Sequence, residues 1–153
     1  MHKQGVVHRD LKMENVMVDI EVNRRGEAEL VCKITDFGLA TVLKHNETSH
    51  DRLGTPMYMA PEIFNGKNYD EKVDTWALGV LAFILLSGGQ FPFTGRTTNQ
   101  LVNSIRRSSP DLSFMERYSE PGKLNDFIMK CLDPNPKTRF NAEQLLQHEW
   151  LST

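Results

Sequence analysis

His8-Arg9-Asp10-Leu11-Lys12-Met13-Glu14-Asn15 sets a carboxylate, an ammonium and an amide oxygen within six residues, Asp10 to Asn15. A carboxylate can take the proton of a hydroxyl, an ammonium can neutralise charge developing on a phosphate, and an amide oxygen is a hard ligand suited to Mg²⁺. Apolar residues on both sides, Val6 and Val7 before and Val16, Met17 and Val18 after, would anchor such a loop. The remainder of the chain therefore reads as a scaffold that holds this stretch in place.

Moving outward, Val16 to Ile20 and Leu30 to Ile34 carry the β-branched, apolar character of two short strands, and the polar stretch from Val22 to Glu27 suits a turn between them. The expected hairpin has Asn15 at one end and Asp36 at the other. Thr41 to Arg52 is polar and aperiodic, which predicts a mobile loop. A helical turn is expected at Ala60-Pro61-Glu62, then a helix opened by Asp74 that is apolar on nearly every side and so should be fully buried, ending at Gly88-Gly89. Thr98 is expected to cap an amphipathic helix carrying Leu101, Val102 and Ile105. Leu124, Phe127, Ile128, Cys131 and Leu132 follow i, i+3, i+4, i+7, i+8, the clearest helical stripe in the chain, and Asp133-Pro134-Asn135-Pro136 stops it. Asn141 with Gln144 forms a capping-box pattern for a last helix, whose Leu145 and Leu146, with Trp150, would close the core.

Several further motifs follow in a fixed order: Asp36-Phe37-Gly38, the run Gly54 to Glu62 (Gly-Thr-Pro-Met-Tyr-Met-Ala-Pro-Glu), Asp74-Thr75-Trp76-Ala77-Leu78-Gly79, Pro92-Phe93, and Asp133-Pro134 followed by Arg139. Taken alone, His-Arg-Asp could arise by chance, and Asp-Phe-Gly more readily still. Together with residues 8–15 these motifs resemble the catalytic loop, metal-binding triplet and activation segment of the eukaryotic protein kinases, serine/threonine class, and the resemblance runs through essentially the whole chain. Lys33 to Ala40, the long hairpin and Leu85-Leu86-Ser87-Gly88 look most like the calcium/calmodulin-dependent and checkpoint-type members. The fold class implied is mainly α with a small β-hairpin, a protein-kinase-like C-lobe with the N-terminal lobe missing, so that residues 1–153 form one partial kinase domain.

The resemblance also implies roles. Asp10 orients the substrate hydroxyl and accepts its proton, while Lys12 sits by the transferred phosphoryl group with Thr55 bonded nearby; a plain surface lysine is the alternative. Asn15 and Asp36 hold Mg²⁺ against the phosphates of ATP. Met17 matches the floor of the adenine site, although it also fits plain strand core. Glu14 belongs to the same nucleotide-side group, at a position that contacts a substrate arginine in basophilic relatives. His8 is structural, packed under Phe37, and Glu62 pairs with Arg139 in the interior. Asp74 either caps its helix or accepts backbone hydrogen bonds from the catalytic loop. Arg9 beside Asp10 marks a kinase switched through its activation segment, because the guanidinium needs an anionic partner. Thr48 and Ser49 are candidate phosphosites, and Asp51 either substitutes for a phosphate or is a solvated loop aspartate.

Composition narrows the partners. A chain of 153 residues with 39% hydrophobic content can bury one core, and a net charge of −2 offers no basic footprint for nucleic acid. Cys32 and Cys131 have no paired spacing, against a disulfide framework or a zinc site. The longest apolar run, Trp76 to Leu86, is too short to span a bilayer. The expectation is an intracellular protein of the cytoplasm or nucleus, acting on protein substrates with Ser/Thr hydroxyls and on ATP, without nucleic-acid or membrane partners. Nothing ahead of His8 supplies a Gly-rich strand pair, a strand lysine or its partner glutamate. Two functions therefore stand side by side: phosphoryl transfer as part of a complete kinase domain, or a catalytically silent C-lobe that binds other proteins.

Overall fold

The computed structural model describes residues 1–44, 46–107 and 109–152. In chain order the strands are β1 (Val6–Val7), β2 (Val16–Val22), β3 (Ala28–Ile34) and β4 (Thr41–Val42). The helices are α1 (Pro61–Phe64), α2 (Lys72–Ser87), α3 (Thr98–Arg107), α4 (Pro121–Cys131) and α5 (Ala142–Leu146), with short 3₁₀ turns between them.

Helix α2 is the axis of the molecule. Its Trp76, Val80, Phe83 and Ile84 are buried against Leu124, Phe127, Ile128 and Cys131 of α4, and Met115 from the 3₁₀ turn Ser113–Arg117 is fully buried beside them. Two facing glycine and cysteine positions set how close the helices come. A Cβ added at Gly79 would lie 2.5 Å from Cys131 Cβ and 3.0 Å from Leu132 Cδ2. In the same seam, burial pushes the Cys131 thiol up to about 12, so it is a neutral core group and not a nucleophile. Gly79→Ala is expected to destabilise the fold by about 1–2 kcal/mol, because overpacking outweighs the gain of up to about 1 kcal/mol from alanine's helix propensity. A urea midpoint equal to the parent's would show that the seam has slack.

The sequence-based expectation for α2 needs correction in two respects. Asp74 is the third residue of the helix and not its cap. Full burial also fails, since Leu85 is 59% exposed and Leu78 is exposed too. Apolarity on every side permits burial but does not supply partners, and α4 with the turns at 56–58 and 113–117 covers only part of the circumference. Gly88, at φ 80, closes the helix in the left-handed conformation that glycine adopts without strain.

Other elements differ by small, explicable amounts. The cap of α3 is Thr97, one residue before the expected Thr98: its Oγ1 accepts from Gln100 N–H at 3.3 Å and its carbonyl from Leu101 N–H at 3.0 Å. The Asn141–Gln144 capping box is present in full. Leu145 is buried, but Leu146 is 71% exposed instead of closing the core, because adjacent helix residues point about 100° apart and only one of them can face inward. Trp150 packs on Phe127 with ring centroids 4.8 Å apart.

The two sheets explain how residues 8–15 are presented. β2 and β3 pair antiparallel with Val16 opposite Ile34 and Val22 opposite Ala28. Asn15 and Asp36 therefore emerge at the same open end of the hairpin, and not at opposite ends. Val18, Ile20, Val22 and Leu30 stand exposed on this hairpin. A second pair, β1 with β4, has no counterpart in the sequence reading. It clamps the start of the 41–52 segment onto the strand that leads into His8, and Ser49 bridges Tyr69 further on. The segment expected to be a mobile loop is thus tied down at two places.

Candidate active site

Asp10 sits at the centre of a compact polar cluster. Its Oδ1 accepts from the Thr55 backbone N–H at 2.9 Å and from the Thr55 hydroxyl at 2.7 Å, and its Oδ2 accepts from Lys12 Nζ at 2.9 Å. Lys12 Nζ also reaches Thr55 Oγ1 at 3.2 Å, which closes a triangle. Burial alone would raise the Asp10 carboxyl, but the Lys12 and Thr55 hydrogen bonds outweigh it and hold the group below the ordinary carboxylate range. Lys12 is held above its ordinary value in turn, chiefly by its hydrogen bond to Asp10. The pair is a fixed anion and cation at neutral pH. A carboxylate so acidic is a weak base on its own, and its stronger asset is orientation: it can hold an incoming hydroxyl by one hydrogen bond.

The backbone around Asp10 is strained and held. Arg9 has φ 69, in the left-handed region that costs a branched or long side chain energy. Asp74 compensates by accepting from the N–H groups of His8 and Arg9, each at 2.8 Å. It also meets His2 Nε2 at 2.8 Å, a third partner that no motif announced. His8 Nδ1 accepts from Asp10 N–H at 3.2 Å, and its Nε2 donates to the Thr35 carbonyl at 2.9 Å. Both ring nitrogens are thereby committed, so His8 is a brace and not a base. Phe37 lies edge-on to it with centroids 5.0 Å apart.

Asn15 is buried and donates from Nδ2 to the Asp10 carbonyl at 2.9 Å, which points its amide oxygen away from that bond. Its own carbonyl accepts from Thr35 N–H at 2.9 Å, latching the residue before Asp36 to the loop. Asp36 is again left-handed, φ 59 and ψ 73, and Oδ1 accepts from Gly38 N–H at 3.2 Å. One amide oxygen and one exposed carboxylate suit Mg²⁺, which is commonly held by one or two protein oxygens with phosphates and water filling its octahedron. Among the described residues no cluster of three or more His, Cys, Asp or Glu could hold a metal unaided. Met17 and Glu14 are exposed beside this end of the hairpin, and the Glu14 charge adds to the negative surroundings that raise Lys12.

Arg9 faces the other way. Nη1 donates to Asp51 Oδ2 at 2.9 Å and to the Tyr69 hydroxyl at 3.4 Å, and Nε donates to the Leu39 carbonyl at 2.6 Å. Burial alone would lower Arg9, but the bonds to Tyr69 and Asp51 prevail, and Asp51 is held below the ordinary range by Arg9. Ser49 Oγ donates to the same Asp51 oxygen at 3.2 Å, whereas Thr48 is exposed. Tyr69 and Leu39 were invisible in the sequence, since each acts through an atom that every tyrosine or every backbone carries. Glu62 and Arg139 are buried and joined in the interior by two hydrogen bonds of 2.6 and 2.9 Å.

Comparison with known proteins shows which sequences the chain is similar to. The family model "Protein kinase domain" matches residues 1–151. Calcium-dependent protein kinase 8 of Oryza sativa subsp. japonica is 41% identical over 152 residues, covering 98% of this chain and 27% of that protein. Calcium-dependent protein kinase 4 of Plasmodium falciparum is 37% identical over 153 residues, 99% of this chain and 28% of the relative. A probable myosin light chain kinase of Dictyostelium discoideum is 38% identical over 152 residues, 99% of this chain and 38% of the relative. The chain thus spans between about a quarter and two fifths of these relatives' lengths.

Proposed function

The chain belongs to the protein kinase domain family, and from that premise we propose that it carries the hydroxyl-accepting half of a phosphoryl-transfer site for serine and threonine residues of protein substrates, with ATP as donor. The observation that carries this reading is the triangle of Asp10, Lys12 and Thr55. Asp10 holds the acceptor hydroxyl in line and takes its proton as the new oxygen–phosphorus bond forms and the bond to the β-phosphate oxygen breaks. Lys12 balances negative charge that builds on the transferred group, and Thr55 fixes both side chains against rotation. Lys12, two residues after Asp10, favours the serine/threonine class. Asn15 and Asp36 are the residues that would hold Mg²⁺, whose contribution when bound is to neutralise the phosphate oxygens.

Residues 1–153 act in this proposal as one partial kinase domain, in the cytoplasm or nucleus. Incubation with MgATP and a serine-containing peptide, by the chain alone and by the chain fused behind a kinase N-terminal lobe, tests it. Phosphorylated serine in the fused protein supports the reading, and none in either form overturns it.

Asp51 is proposed to be the built-in anion for Arg9. A carboxylate already bonded at 2.9 Å lets the activation segment assume its docked form without modification. In the fused protein Asp51→Ala should lower turnover several-fold and Asp51→Glu should retain most of it. Equal rates for Asp51→Ala and parent would remove the anion role.

A further inference from the structure

A second polar feature lies beyond the Asp10 cluster. Between the end of α1 and the outer side of α3 is a cavity of about 420 Å³ walled by Arg52, Asn65, Asn99, Asn103 and Arg106 over a floor that includes Val102. Among the described residues no aspartate or glutamate lines it. Arg106 donates from Nη2 to the neutral Asn65 Oδ1. The Arg52 guanidinium rests against bare backbone: a Cβ at Gly66, whose φ is +60, would lie 2.7 Å from Arg52 Nη2. The acid next to Arg52 in sequence, Asp51, is already taken by Arg9. Two exposed guanidinium groups thus share one concavity with amide side chains and, among the described residues, no paired acid.

We infer that this cavity is a recognition site for an acidic run in a protein segment, two carboxylates of which pair with Arg52 and Arg106 while the asparagine amides complete their hydrogen bonds. The guanidinium fork matches a carboxylate in bidentate fashion, and complementary charge sets both encounter rate and register. Position identifies the segment. Arg52 is three residues from Thr55, a span of at most about 11 Å, and Thr55 is bonded to Asp10. A peptide whose hydroxyl lies at Asp10 therefore brings side chains only a few residues away to the cavity. The identification of that segment as substrate rests on the phosphoryl-transfer reading, whereas the acidic preference does not.

Fluorescence anisotropy of the intact chain with a labelled peptide bearing three consecutive aspartates, beside its asparagine counterpart, tests the inference. The acidic peptide should bind about tenfold or more tightly, and the difference should shrink as salt is raised. Arg52→Gln with Arg106→Gln should erase the difference, and so should Asn103→Asp, which keeps both arginines and places a competing carboxylate among them. Unfolding midpoints equal to the parent's confirm that the variants are folded. Equal affinity for the two peptides, or an acidic preference that survives in both variants, overturns the site. Anisotropy needs no turnover, so an acidic preference with no phosphorylation by either the chain or its fused form would overturn only the phosphoryl-transfer reading, and phosphorylation without the preference only this one.

Discussion

Arg139→Ala is expected to lower the unfolding free energy by about 3–5 kcal/mol, because it strands a carboxylate in the interior. Arg139 and Glu62 are 2% and 3% exposed, and the guanidinium binds both Glu62 oxygens. It also donates to the carbonyls of Asp133 at 2.9 Å and Lys72 at 3.1 Å and lies 5.1 Å from the centre of the Trp76 ring. The intact pair roughly breaks even, since desolvating two charges offsets most of their attraction. Removing one partner is different: the other keeps its desolvation cost and loses its compensation. For a chain of this size the loss corresponds to a fall of roughly 6–20 °C in Tm. Replacing both residues by methionine should recover much of the deficit, leaving about 1 kcal/mol for each orphaned carbonyl. Urea unfolding of the two single variants and the double variant measures this. Losses under about 1 kcal/mol in the single variants would mean that water already reaches the pair.

The second large effect concerns turnover. Asp10→Asn should reduce kcat in the fused protein by about 10²–10⁴ while the peptide KM changes little. Asparagine keeps an oxygen for the Thr55 N–H and hydroxyl, so the loop should stay in place. It cannot take a proton, and its amide nitrogen does not neutralise Lys12. The pH dependence separates this role from a purely structural one. Because the folded pKa of Asp10 is depressed, its ionised form contributes stability that is fully present above the ordinary carboxylate value of about 3.9 and is lost as pH falls through the lower folded value. Asp10→Asn should therefore cost a constant amount of stability above about pH 4, a deficit that shrinks as pH falls below that value, while the loss of turnover is read at neutral pH. Retention of a tenth or more of parental kcat in the variant would sink the proposed role of Asp10.

What was legible beforehand was whatever depends on neighbours in sequence. The α4 stripe, the capping box of α5, the glycine stop of α2 and the hairpin all follow from periodicity or a local cap, and each appears where its pattern lies. The misreadings came from features that local pattern leaves open. Nothing in the letters tells that Leu78 and Leu85 of an all-apolar helix face outward, or that Leu146 rather than Leu145 is left exposed. The β1–β4 pair was missed because two-residue strands carry no period, and only the register between Val6 and Val42 creates them.

By itself the chain determined which chemical groups are available and in what order, because residue type fixes charge, donors and local backbone preference. Only the tertiary structure decided which of them meet: Asp74 under the strained Arg9, Thr55 on Asp10, Tyr69 on Arg9, and two arginines around a cavity with no acid among its described lining residues. The reason is physical. Hydrogen bonds and ion pairs act over a few ångströms, and residues dozens of positions apart reach that range only once the α2–α4 core has fixed the path of the backbone.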